Sequence, residues 1–214
     1  MNIYINFTVD NLSFRFFCPR GQKDEPRLIT RSKTNCQPLL LIYKSMRNIL
    51  NSIEEIKKLD SKNMLGSLEL LSEQVGEVFE CSKKTKIPSN YKKVKNIVVL
   101  GMGGSTLGAH ILKSVFFNEL KVPLEIINGY HVPAYVDKNS FILVSSYSGT
   151  TEEPVYAMKE AMKRKAKLVI ISSGGDLAKV SAAMKIPGLV FSTNNNPCGS
   201  PRMGLGYSIV GQMI

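Results

Sequence analysis

Apolar residues keep no sustained period over residues 1–45, where Asn, Arg, Cys, Pro and single aromatics mix. Phe14, Phe16 and Phe17 have the makings of a short strand, but Pro19, Gly21 and Pro26 break the chain beyond it. From Met46 the spacing turns helical: Met46, Ile49, Leu50, Ile53, Ile56 and Leu59 recur on one stripe with charges between them. Asn63 precedes a second predicted helix over 66–81, with Leu68, Leu71, Val75, Val78 and Phe79 as its apolar stripe. The change of pattern makes Met46 the expected natural start, and residues 1–45 an expected disordered or non-native extension.

A basic linker, 82–95, closes the helical lead-in that begins at residue 46. Beyond it, continuous apolar runs occupy 96–100, 124–127, 141–145, 168–172 and 189–192, with helix-length segments at 106–119, 151–165 and 176–184 between them. Short, β-branched runs that do not alternate in polarity are the mark of strands buried on both faces of a parallel sheet. Strand–helix–strand repetition then predicts right-handed units and an α/β, doubly wound layer structure over 96–214. The last stretch, 202–214, reads as the opening of one more helix.

Composition narrows the function classes. With 43% hydrophobic residues the chain can bury a core. Its longest N-terminal apolar stretch, 39–43, is far short of a membrane span, and no secretory leader is visible. Cys18, Cys36, Cys81 and Cys198 are scattered without metal-ligand spacing, as in a cytosolic protein with reduced thiols, so no metal is expected. The net charge of +11 invites a nucleic-acid reading. Yet the charge is spread evenly: 7 basic and 3 acidic side chains in 1–45, 10 and 7 in 46–95, 11 and 7 in 96–214. No basic run is interleaved with aromatics as a base-stacking surface is, so no nucleic-acid partner is expected. A general attraction for anionic ligands remains.

Candidate chemistry sits where predicted strands feed into predicted helices, which is where ligands bind in such sheets. Three segments qualify: Gly101-Met102-Gly103-Gly104-Ser105-Thr106, then Ser145-Ser146-Tyr147-Ser148-Gly149-Thr150-Thr151, then Ser172-Ser173-Gly174-Gly175-Asp176. Glycines let a backbone approach an anion, helix N-termini offer free N–H groups, and hydroxyls suit phosphate oxygens. Each segment also has a structural alternative: tight strand–helix packing for Gly103-Gly104, or a helix start with Thr151 as cap and Glu152 and Glu153 facing the dipole. A dinucleotide site lacks its third glycine, where Thr106 stands, and lacks an acid after the second strand, which ends at Asn128-Gly129. A Walker-type site lacks its lysine: Gly104-Ser105 stands in that place.

Four strings in order, VVLGMGGSTLGAHIL, VSSYSGTTEEP, SSGGDLAK and PCGSPRMGLGY, resemble the first sugar-isomerase (SIS) domain of the bifunctional phosphoglucose/phosphomannose isomerases. The likeness runs from about Met46 to Ile214 and includes the helical lead-in. It implies a five-stranded parallel, flavodoxin-like SIS sheet and an aldose–ketose isomerase acting on glucose 6-phosphate, mannose 6-phosphate and fructose 6-phosphate. By position, Gly103, Gly104 and Ser105 match the first sugar-phosphate loop, and Ser146, Ser148 and Thr151 match the phosphate-gripping hydroxyls. Arg202 matches the arginine that steadies the enediolate, a catalytic role suited to a fixed guanidinium beside a developing oxyanion. Thr150 stands where the family commonly has Asn. The resemblance implies no cofactor, a phosphorylated hexose as ligand, and a homodimer. It puts the proton-carrying glutamate, histidine and lysine beyond the matched region, in a second SIS domain; no carboxylate or imidazole follows Arg202 here. His110 reads as a structural residue of the 106–119 helix, and His131 as a residue at the pocket edge. The alternative function is a non-catalytic SIS module that senses a sugar phosphate.

Overall fold

A computed structural model describes residues 49–214. The expectations placed on residues 1–45 lie outside the described residues. Five strands, β1 (Asn96–Leu100), β2 (Leu124–Ile127), β3 (Ser140–Ser145), β4 (Lys167–Ser172) and β5 (Gly188–Val190), form one sheet in the order β2-β1-β3-β4-β5. Every pairing is parallel. This is the doubly wound, flavodoxin-like order, whose direction reverses between β1 and β3.

Seven α-helices lie wholly within the described residues: α1 (Ile53–Leu59), α2 (Met64–Glu69), α3 (Leu71–Ser82), α4 (Leu107–Val115), α5 (Glu152–Lys163), α6 (Gly175–Met184) and α7 (Leu205–Met213). The pleat sorts each strand's side chains between two cores. Val98 and Leu100 of β1, Ile142 and Val144 of β3, and Leu168 and Ile170 of β4 pack with Ala157, Met158 and Ala161 of α5 and Leu177 of α6. Val99, Leu143, Val169 and Ile171 point the other way, onto Val78 of α3, Ala109 of α4 and Tyr207 of α7. In α5, Pro154, Ala157, Met158 and Ala161 are buried at helical spacing, and the small residues bring the helix close to the sheet.

The lead-in departs from its predicted pattern. The 66–81 helix is broken at Leu70, whose ψ of 12° separates α2 from α3. Of the five residues on its expected apolar stripe only Val78 is buried; Leu68, Leu71, Val75 and Phe79 are exposed, Phe79 by 51%. The buried face of α3 is instead set by α7, against which Gln74 and Val78 lie one turn apart. The 46–59 helix is likewise interrupted: Asn51 forms a turn, and the Ser52 hydroxyl then caps α1 by accepting from Glu55 N–H. The 106–119 helix shortens to α4 at both ends: a 3-10 turn at Gly103–Thr106 delays its start by one residue, and 116–119 form turns beyond Val115.

Candidate functional site

Because β1, β3 and β4 are neighbours in register, the segments that follow them leave one edge of the sheet side by side. Loop one (residues 101–106) leads into α4, loop two (145–151) into α5, and loop three (172–175) into α6. Loops one and two flank the reversal point between β1 and β3. Asn128, at the end of β2, donates to the Gly101 carbonyl at 3.0 Å and ties the glycine loop to the edge.

Loop two is held by its own hydroxyls. Ser146 Oγ is buried, accepts from Gly149 N–H at 3.1 Å and lies 2.8 Å from Thr151 Oγ1. Ser148 Oγ is exposed and accepts from the N–H and the hydroxyl of Thr150, at 3.3 and 3.1 Å. A hydroxyl has one proton and two lone pairs. In both cases the loop fills acceptor positions and leaves protons to give: one from the Ser146–Thr151 pair, one from Ser148. Among the described residues, the N–H groups of Ser148, Thr151, Glu152 and Glu153 have no protein acceptor. These donors lie at the positive end of α5, an arrangement that suits a phosphate, with the Glu152 and Glu153 carboxylates of the same first turn as the negative charges beside them. Thr151 does occupy the cap position of α5, but its side chain bonds Ser146 rather than capping the helix, which corrects the structural alternative.

Loop three proves to be a buttress. Ser173 spends both its N–H and its hydroxyl on the Tyr147 carbonyl, at 2.9 and 2.6 Å. Ser172 Oγ donates to Gly174 O and accepts from Gly174 N–H. Gly149 has φ +71°, and a Cβ there would lie 1.9 Å from Gly174 O, so loops two and three touch through bare backbone.

In loop one, Gly103 has φ +52° with open space on its Cβ side. Ser105 Oγ accepts from Tyr147 N–H at 3.2 Å, joining loops one and two, and keeps its own proton to donate. Gln212 of α7, buried and unmarked by any sequence motif, binds the same junction. Its Nε2 donates to Ser105 O at 2.6 Å and Ser145 Oγ at 3.0 Å, while its Oε1 accepts from Ala109 N–H at 2.7 Å.

Arg202 lies in a 3-10 turn, Pro201–Met203, immediately before α7. Its side chain is exposed and makes no hydrogen bond or ion pair with another described residue. The turn is nonetheless seated on the loops. A Cβ on Gly204 would lie 2.2 Å from the Tyr147 ring, and one on Gly104 would lie 3.5 Å from Leu205. Asn196 fixes the approach to the turn, donating to Tyr147 Oη at 2.7 Å and to Ser200 O at 2.9 Å. Burial raises the Tyr147 phenol above its ordinary pKa, against the lowering effect of the Asn196 bond. Tyr147, Phe191 and Tyr207 form one aromatic cluster, with Phe191 and Tyr207 stacked at 4.7 Å.

Neither histidine takes a central place. His110 is exposed on α4. His131 is 79% exposed, with Nδ1 3.4 Å from Glu160 on α5. Glu160 also accepts from Val132 N–H at 3.1 Å and pairs with Arg164, which donates to the Pro133 carbonyl at 2.7 Å. The Val132 amide and the Arg164 guanidinium hold the Glu160 carboxyl below its ordinary pKa. A hollow of about 440 Å³ lies elsewhere, lined by Lys57, Asp60, Asn63 and Glu69 among others; the Asp60 carboxylate there is spent capping α2 through Met64 and Leu65 N–H.

The chain matches no protein-family model. It is 32% identical over 148 residues to a bifunctional phosphoglucose/phosphomannose isomerase of Caldicellulosiruptor bescii, covering 69% of this chain and 42% of that protein. It is 37% identical over 113 residues to the protein of the same name from Thermoplasma acidophilum, covering 52% of this chain and 33% of that protein. Among solved structures, the Vibrio vulnificus NanR protein complexed with ManNAc-6P superposes with a TM-score of 0.52 at 14% identity, covering 68% of this chain and 58% of that one. The sheet order and its edge loops define a doubly wound domain of the sugar-isomerase (SIS) type. The sequence likeness goes further: the chain belongs to the bifunctional phosphoglucose/phosphomannose isomerase family, and spans 42% and 33% of the length of these two relatives.

Proposed function

We propose that loops one and two seat the phosphate and near end of a hexose 6-phosphate, and that the whole protein interconverts its aldose and ketose forms. The substrates are glucose 6-phosphate, mannose 6-phosphate and fructose 6-phosphate. The observation that carries this reading is the hydrogen-bond polarity of loop two, where the lone pairs of Ser146 and Ser148 accept from within the loop and the outward groups are donors. Gly103, Gly104 and Ser105 supply the adjoining wall, and Thr151 shares the proton that the Ser146 pair gives away.

In isomerisation a proton leaves C2 or C1 and negative charge gathers on the carbonyl oxygen. Arg202 takes the role of holding that enediolate oxygen, a charge it stabilises without changing its own protonation. The groups that carry the proton belong, on this proposal, to the length of the relatives outside the matched region. A homodimer is part of the same proposal. It is supported by the exposed apolar row Leu68, Leu71, Val75 and Phe79, an unusual surface for a lone domain. A cytoplasmic location completes it, supported by the scattered cysteines; among the described residues no helix is long and apolar enough to cross a membrane.

The test is calorimetric titration of the whole protein, the proton-carrying length included, with fructose 6-phosphate and with fructose, followed by NMR of the sugar. Binding of the phosphate ester alone, with appearance of an aldose, supports the isomerase. Binding without conversion moves the assignment to the sensor, which needs the same loops and no base. No binding of the ester removes both.

A further inference from the structure

The exposed Arg202 side chain makes no hydrogen bond or ion pair with another described residue, so the backbone of its turn sets its position. That backbone is held from two sides. On one side Gly204 lies against the Tyr147 ring of loop two. On the other stands Gln74 of α3, fully buried although its side chain carries two polar functions. Its Nε2 lies 2.9 Å from Met203 O, 3.0 Å from Asn195 O and 3.3 Å from Ser67 O, while its Oε1 accepts from Gly206 N–H at 3.2 Å. One amide therefore grips the carbonyl just after Arg202 and the N–H three residues beyond it. The close seat is possible because residue 206 is glycine: a Cβ there would lie 2.7 Å from Gln74 Cβ. One turn along α3, Glu77 accepts from Tyr207 Oη at 2.5 Å and Asn195 Nδ2 at 2.8 Å, fixing the flanks of the same loop.

We propose that Gln74 is the positioning residue for Arg202, setting the height of the guanidinium above loop two. The inference rests on the role proposed for Arg202 in the isomerisation and adds the device that aims it. A buried amide suits the task, because removing it leaves Met203 O and Gly206 N–H without their partner and frees the turn to shift toward other partners. Tyr147 limits the motion on the inner side only, so the expected displacement is outward, away from the substrate.

The test compares two probes on the same protein: inorganic phosphate, which needs the loops without Arg202, and a phosphorylated five-carbon hydroxamate, whose planar anion imitates the enediolate and also needs Arg202. Gln74→Met keeps the volume of the side chain and removes both hydrogen-bonding functions. Gln74→Glu keeps the acceptor for Gly206 and removes the donors, and is made in parallel so that one unfolded variant does not decide the matter. The expected result is about tenfold weaker binding of the hydroxamate with phosphate binding unchanged within about twofold. Arg202→Ala weakens the hydroxamate similarly, and adding Gln74→Met to it costs nothing further. Equal loss for both probes would reduce Gln74 to a structural residue, and full additivity with Arg202→Ala would show that it acts on something else. If Arg202→Ala leaves hydroxamate binding intact, the role of Arg202 itself fails and the positioning inference with it.

Discussion

Loop two and helix α3 treat their polar and apolar groups in opposite ways. Loop two leaves hydroxyl protons and helix N–H groups without protein acceptors, and spends hydroxyl lone pairs internally. Helix α3 buries an amide and exposes Leu71, Val75 and Phe79. The contrast separates two uses of a polar side chain. At the sheet edge it is left with something to offer a ligand. In α3 it is satisfied completely and serves to hold another piece of backbone. Counting polar residues near a site does not separate the two; asking which donors and acceptors remain unspent does.

Glycines give the strongest test of the contrast. Gly149→Ala puts a side chain at φ +71° and 1.9 Å from Gly174 O, forcing loops two and three apart. We expect a loss of about 3 kcal/mol, read from the urea midpoint. Gln212→Met strips partners from Ser105 O and Ala109 N–H at the junction of loops one and two, and is expected to cost about 2 kcal/mol in the same measurement. Gly76→Ala, in α3, meets nothing within 4 Å and is expected to stabilise by up to about 1 kcal/mol.

Smaller effects sharpen the comparison further. Glu160 has its carboxyl pKa lowered from 4.5 chiefly by the Val132 N–H, so the folded state favours its charged form. That contribution is present above pH 4.5 and fades as pH falls through the lowered value. Glu160→Gln should therefore flatten this part of the acid limb of a pH–melting profile. Phe79→Glu should change the stability of the isolated chain by less than about 0.5 kcal/mol, because the side chain is already exposed. By sedimentation it should shift a homodimer toward monomer; a dimer untouched by it would place the interface elsewhere.

The sheet was legible because strands covered on both faces leave no doubt about which side chains are inside. The predicted runs 96–100 and 124–127 coincide with β1 and β2, and 141–145 and 168–172 differ from β3 and β4 only in their first residue. The lead-in was misread for the complementary reason. Periodicity says which residues share a helix face, not which face is covered. The buried face of α3 is decided by contact with Gly206 and Tyr207, more than 120 positions away in sequence, and Gln74 carries no local signal of that. Loop three was misread because its serines resemble those of loop two in sequence; only their hydrogen bonds to Tyr147 O and Gly174 O reveal that they are spent.

The central claim is that the donors of loop two form the phosphate seat. Its most direct test is an amide proton–nitrogen NMR titration of the protein with fructose 6-phosphate. The account predicts the largest shifts at Ser148, Gly149, Thr151, Glu152 and Glu153, with the amides of α1 and α2 unmoved. Shifts centred on the hollow between Lys57 and Leu70, with loop two silent, would contradict it.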